Sequence, residues 1–133
     1  MCGISGKVYF NNQEVTKHSL QLMTNKISHR GPDSTGYYIS KKRNQPMSYM
    51  NRYILVSNNE IYNYKGEKLK LERLGFKFES NSDTEVILAL YAKYKQNCVN
   101  HLRGMYAFAV YDTHEETIFL ARDRIGKKPL KYF

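Results

Sequence analysis

A capped apolar helix set among runs of two-residue alternation is the feature that most constrains this chain. Ser82-Asp83-Thr84-Glu85 reads as a capping box, with Ser82 at the cap and Glu85 three residues on. Behind it Val86, Ile87, Leu90, Tyr91, Tyr94 and Cys98 recur at helical spacing, which predicts a helix with one buried face. On either side the period changes. Residues 53–56 are a continuous β-prone run and read as a central strand, which Asn58-Asn59 interrupts and Ile61-Tyr62 resumes. Residues 105–111 and 117–121 form a hairpin across 112–116.

The remaining stretches follow the same logic. Ile4, Gly6, Val8 and Phe10 form one face of a half-buried strand, and a helix runs from Val15 to near Ser28. Gly31-Pro32-Asp33 breaks the chain after it, because the residue before a proline avoids helical geometry. Residues 36–39 read as a short aromatic strand and 41–45 as a loop. Residues 64–74 form a weaker helix that Gly75 stops at C′. Phe76 and Phe78 alternate with charged residues as a strand, and 129–133 read as one more. The order is not a regular βαβ alternation, so the class is α+β, with antiparallel sheets and segregated helices.

Length and charge narrow the function. At 133 residues the chain reads as one domain, 1–133, able to bury a core. No run is apolar and long enough to span a membrane, and no basic stretch leads an apolar one as in a secretory signal. Cys2 and Cys98 make no disulfide framework, which fits a reducing cytoplasm. A net charge of +9 with twelve Tyr raises nucleic-acid binding as an alternative. The positive charges are scattered, at 41–43, 65, 68, 70 and 127–128, with no zinc-knuckle, RRM or helix-turn-helix pattern to organise them. A solvated lysine-rich surface accounts for them more simply.

Cys2 is the candidate nucleophile. Loss of Met1 would leave a residue carrying both a thiol and a free α-amine, whose ordinary pKa of about 7.7–8.0 makes it a ready general base. The competing reading is a cysteine that merely begins the first strand.

Six ordered segments decide between them. MCGISG, HRGPDSTG, SNNEIYNY, SDTEVILALY, RGMYAFAVYD and ARDRIGKKPL together resemble the class II glutamine amidotransferase domain, in particular the N-terminal glutaminase domain of asparagine synthetases. The resemblance covers nearly the whole chain. It implies an N-terminal-nucleophile hydrolase fold, a four-layer αββα sandwich of two antiparallel sheets between helices. It implies that the Cys2 thiol attacks the side-chain amide of glutamine, that ammonia leaves, and that water hydrolyses the thioester, with the α-amine shuttling the proton. It maps the oxyanion donors onto the Asn58 side chain and the Asn59 backbone N–H, with asparagine at 59 where the family usually has glycine. A turn or bulge at Asn58-Asn59 is the alternative reading of that pair. The resemblance assigns Asp83 and Glu60 to the substrate's α-amine and Arg30 to orienting substrate or loop, beside His29 as scaffold. Asp83 also reads as simple helix N-terminal charge stabilisation, worth about 0.3–1 kcal/mol.

Two departures limit the resemblance. After residues 36–39 the family carries a further strand and a turn whose arginine clamps the α-carboxylate of glutamine. Here the chain passes through Lys41-Lys42-Arg43 directly to Asn44-Gln45-Pro46-Met47, so this strand-turn segment is missing. Loss of such a contact would weaken binding by about 2–5 kcal/mol unless Arg43, Arg52 or Arg30 replaces it. The second departure is downstream. ATP and Mg are expected only on a synthetase domain or subunit that receives the ammonia, with no cofactor and no metal in this chain. The chain reads as a fragment, a stand-alone subunit or a decayed gene, and if catalysis is impaired, as a binding or regulatory module. Glutamine and the synthetase partner are the expected associates, with no membrane.

Overall fold

In the computed structural model, residues 4–7, 9, 13–30, 37, 39 and 47–131 are described, Arg30 by its backbone alone. Contacts divide the chain into two units, Met1–Pro46 and Met47–Phe133. Each is described by itself.

The first unit contains helix α1, Lys17–Lys26. Thr16 caps it, its hydroxyl accepting from Ser19 N–H at 3.2 Å. A single 3-10 turn, Ser28–Arg30, follows. The expected first strand is not formed at 4–7 or 9, where the backbone has no regular structure and residues 5–7 are exposed. A strand needs a ladder partner, and no described strand pairs with this stretch. Positions 8 and 10 lie outside the described residues. Tyr37 and Ile39 likewise belong to no strand, and 36, 38 and the break at 31–33 lie outside.

The second unit is built on one antiparallel sheet, ordered β1-β2-β3-β4. Strand β1 is Met47–Tyr49, β2 Tyr53–Ile61, β3 Gly104–Asp112 and β4 Thr117–Arg122. β2 and β3 pair along their full lengths, from Tyr53 opposite Asp112 to Ile61 opposite Gly104. The expected interruption at Asn58-Asn59 is absent: the two residues continue β2 opposite Ala107 and Tyr106. A full-length neighbour strand overrides the low strand propensity of asparagine. The β3–β4 hairpin forms as the alternation predicts.

Helix α2, Tyr64–Arg73, and helix α3, Asp83–Tyr94, lie on one face of the sheet. α2 ends in a Schellman motif. Gly75 has φ 89°, its N–H reaches Glu72 O at 2.9 Å, and Phe76 N–H reaches Leu71 O at 3.1 Å. Phe76 and Phe78 pack on the core without forming a strand, and the Tyr49 hydroxyl donates to Lys77 O between them. Residues 129–131 also form no strand, while 132 and 133 lie outside the described residues.

α3 differs from the one-faced helix expected. Glu85 to Tyr91 are buried without a break, Leu88 and Ala89 included, so the helix is apolar all round because it is enclosed all round. It stops at Lys95, and Cys98 lies on the following 3-10 segment, Lys95–His101. The core joins Val86, Ile87 and Leu90 of α3 to Leu55 of β2, Phe108 and Val110 of β3, and Leu71 of α2.

Candidate functional site

Side chains in a strand alternate between faces, so the register of β2 decides which candidates can meet. Tyr53, Leu55 and Ile61 are buried toward the helices. Asn59 shares their parity and Asn58 does not. Asn58 and Glu60 therefore project from the opposite face, where Glu60 is exposed. Asn59 projects toward the start of α3.

Asp83 is the first residue of that helix. The cap is a variant of the predicted box. Ser82 Oγ accepts from Thr84 N–H at 3.1 Å, while Glu85 reaches past the cap to Glu79 N–H and Ser80 N–H, each at 2.8 Å. Burial opposes the charge on Glu85, yet the Ser80 hydroxyl and these two N–H groups hold its carboxyl below the usual range. The loop entering α3 is thereby fixed, and with it the direction of Asp83.

Asp83 Oδ2 accepts two hydrogen bonds from β2: from Ile61 N–H at 2.9 Å and from Asn59 Nδ2 at 2.8 Å. The same Asn59 amide approaches Thr84 Oγ1 at 3.4 Å. Among the described residues, Asp83 Oδ1 has only a long contact from the Thr84 hydroxyl, 3.5 Å. A carboxylate offers about four lone-pair sites, so Oδ1 keeps acceptor capacity. The helix-start role expected of Asp83 and this grip by the strand are compatible. Nothing in spacing pointed to Ile61 N–H or to the Asn59 side chain.

Among the described residues, the backbone of Asn59 faces an edge. Its partner Tyr106 turns both main-chain groups away from β2, its N–H to Asp123 Oδ2 and its C=O to Asp123 N–H at 2.8 Å. Beyond Ile61, Tyr62 N–H turns back to Arg103 O at 2.8 Å. An antiparallel ladder alternates in this way, so Asn59 N–H points away from β3, on the side where Ile61 N–H meets Asp83. Among the described residues, β1 pairs with β2 on that side as far as Leu55. A backbone donor and a carboxylate thus lie along one edge of β2, with the Asn58 carboxamide on the far face.

Gly104 sets the height of that edge. It has φ 154°, and a Cβ there would collide with the Glu60 carbonyl oxygen. Asp123 anchors the opposite side of β3. Burial opposes its charge, but N–H groups of Lys127 and Lys128, at 2.8 and 3.0 Å, hold its carboxyl below the usual range.

Arg52, one of the arginines that could replace the missing clamp, is committed elsewhere. Its guanidinium grips Asp112 through Nε and Nη2, both at 2.7 Å, and reaches Glu115 at 2.7 Å. Cys2 and Arg43 lie outside the described residues, as does the Arg30 side chain. Among the described residues no group of three or more His, Cys, Asp or Glu could hold a metal, and no described helix is long and apolar enough to cross a membrane.

Comparison with known proteins adds the family. A family model described as a glutamine amidotransferase domain matches residues 1–44 and 39–133. Asparagine synthetase [glutamine-hydrolyzing] 3 of Bacillus subtilis is 38% identical over 151 positions, covering 99% of this chain and 25% of the relative. Putative asparagine synthetase [glutamine-hydrolyzing] 2 of Methanocaldococcus jannaschii is 36% identical, covering 100% and 32%. The chain thus spans about a quarter to a third of these relatives. A solved glutamine phosphoribosylpyrophosphate amidotransferase from B. subtilis, complexed with ADP and GMP, superposes with TM-score 0.50 at 28% identity, over 68% of this chain and 22% of that one. The fold class is accordingly that of the N-terminal-nucleophile amidotransferases, α+β with an antiparallel sheet and helices. Its second sheet has no strand among the described residues.

Proposed function

This chain belongs to the glutamine amidotransferase domain family, and we propose that it hydrolyses glutamine to glutamate and ammonia for amide transfer, as the glutaminase half of an asparagine-synthetase-like system. The match to glutamine-hydrolysing asparagine synthetases over the whole chain is the observation that carries the reading. The geometry along β2 supports it: among the described residues, a carboxylate with a spare oxygen at Asp83 and a backbone N–H at Asn59 share one strand edge.

In this reading Cys2 Sγ adds to the side-chain carbonyl carbon of glutamine. The Asn58 carboxamide and Asn59 N–H take the developing oxyanion, a donor of this kind being worth about 2.7–4 kcal/mol in the transition state. The α-amine of Cys2 accepts the thiol proton and passes it to the leaving nitrogen, so ammonia departs and a glutamyl thioester remains. Water, deprotonated by the same amine, then releases glutamate. Asp83 receives the substrate α-ammonium, with Glu60 and Arg30 as further substrate contacts. The Cys2 role requires removal of Met1. The acceptor of the ammonia is a synthetase domain or subunit, which would also hold ATP and Mg. The printed names of the relatives support that partner, as does the quarter to a third of their length that this chain matches.

A second reading is favoured by a separate observation. The family model matches in two pieces that meet at 39–44, and the alignment of 151 positions exceeds the 133 residues of this chain. At least 18 positions of the relative therefore have no counterpart here, consistent with loss of the carboxylate clamp. On that reading the chain is a catalytically impaired binding or regulatory module. Incubation with glutamine and measurement of glutamate, beside Cys2→Ala, separates the two. Release at least a hundredfold above Cys2→Ala supports the enzyme, and equal rates leave only the module.

A further inference from the structure

Glycine at position 59 would offer a strand edge its N–H and nothing more. This chain has asparagine there, and its side chain does something specific. Asn59 Nδ2 lies 2.8 Å from Asp83 Oδ2, the oxygen that also accepts Ile61 N–H at 2.9 Å. Two donors on one oxygen fix the orientation of a carboxylate and leave the lone pairs of the other oxygen to accept from a ligand. Asp83 Oδ1, with only the 3.5 Å Thr84 contact among the described residues, is that oxygen. The Ile61 donor is main chain and belongs to any sequence that forms β2. The Asn59 donor belongs to this sequence.

We infer that the Asn59 carboxamide is a positioning residue for the substrate's α-ammonium, holding Asp83 Oδ2 so that Oδ1 is presented to the cation. The inference rests on the reading of Asp83 as the ammonium ligand. Asn59 then acts through two separable groups. Its backbone N–H serves the oxyanion and survives any substitution other than proline. Its side chain serves the amine end of the substrate and is removed by Asn59→Gly. The carboxamide therefore tunes which amides are selected, favouring those that carry an α-ammonium.

The test compares glutamine with glutaramate, which is glutamine without its α-amine, by ammonia release from the full chain. Asn59→Gly is expected to raise KM for glutamine about tenfold, the loss of one hydrogen bond to a charged group, with a much smaller change in kcat. For glutaramate the KM change is expected to be under threefold. Asn59→Asp, which sets carboxylate against carboxylate, should raise KM for glutamine further. An equal KM rise with both substrates, or a loss confined to kcat, overturns the inference. Urea unfolding of Asn59→Ala, Asp83→Asn and the double variant gives a readout independent of turnover. Non-additive effects are expected, and strict additivity shows that the amide does not hold Asp83. Coupling present in a chain with no Cys2-dependent ammonia release sinks the enzymatic reading, and with it the role for the ammonium. Activity without coupling sinks the inference alone.

Discussion

Lys95 ends α3 with φ 51° and ψ −133° and returns its ammonium to 2.9 Å from Asp112 Oδ2, at the far end of β3. An L side chain rarely adopts that backbone conformation, and holding it costs about 1–3 kcal/mol. Burial alone would lower the Lys95 pKa, but hydrogen bonds to Asp112 and the Tyr53 hydroxyl raise it. The strained turn and the ion pair therefore oppose each other at one residue. Lys95→Ala keeps the strain and loses the pair, whereas Lys95→Gly loses both. Urea titration should find the alanine variant about 1–2 kcal/mol less stable than the glycine variant, and glycine at least as stable as wild type. Equal stability of the two variants would show that the turn stores no strain.

Acid should unfold the second unit through the carboxylates that its own donors hold ionised. Asp112 is fully buried between Arg52 and Lys95, and the Arg52 guanidinium holds its carboxyl well below the usual range. Glu85 and Asp123 are lowered too, by hydroxyl and backbone donors against the effect of burial. For all three the folded state binds its proton less readily than the unfolded state. The stability they contribute is complete above about pH 5 and is lost progressively as the pH falls toward the folded values. Wild type should thus lose stability between about pH 5 and pH 3. Asp112→Asn should already be weak at neutral pH and lose less over the same interval. Parallel pH profiles for the two proteins would remove Asp112 from the explanation.

What could be read from the chain divides along a physical line. The start of α3, the Gly75 stop and the β3–β4 hairpin depend on local signals that tertiary structure reinforces, and these formed as read, whereas α3 is buried all round and ends before Cys98. Strand β1 escaped because its hairpin turns through Met50 and Asn51, with φ 55° and 51°, and a methionine announces no such turn. Asn58-Asn59 looked like an interruption because local propensity disfavours asparagine in strands, while its pairing partner lies more than forty residues downstream. The same limit governs the site. Asp83 was visible beside its cap, but its grip by Asn59 depends on strand parity and on where the helix starts relative to Ile61. Arg52 looked like a spare arginine until Asp112 claimed it.

Gly104 fixes the level at which β3 passes beneath the end of β2. Any Cβ there meets the Glu60 carbonyl oxygen, and Ile61 Cα follows at 2.9 Å. Both obstacles are backbone, so a rotamer change cannot relieve them. Gly104→Ala must move the segment whose Ile61 N–H holds Asp83. Unfavourable φ and overpacking together predict destabilisation of about 3 kcal/mol or more in urea unfolding. On the proposed function the variant also raises KM for glutamine. A loss under about 1 kcal/mol would mean that the two strands yield easily at this point.

The two cysteines should differ sharply toward an electrophile. Cys98 is fully buried on the 3-10 segment after α3, and burial pushes its thiol pKa up to about 12. Thiolate is the reactive form, so near neutral pH this sulfur is both shielded and protonated. Raising the pH to about 9 leaves it so. Cys2, with a terminal amine to accept its proton, is expected to react. Intact-mass analysis of the native protein treated with a glutamine-mimicking electrophile should show a single adduct together with loss of Met1. That adduct should vanish in Cys2→Ala, and denaturation should admit a second adduct at Cys98 in the wild type. An adduct that survives Cys2→Ala under native conditions would place the reactive thiol at Cys98 and take the nucleophile role away from Cys2.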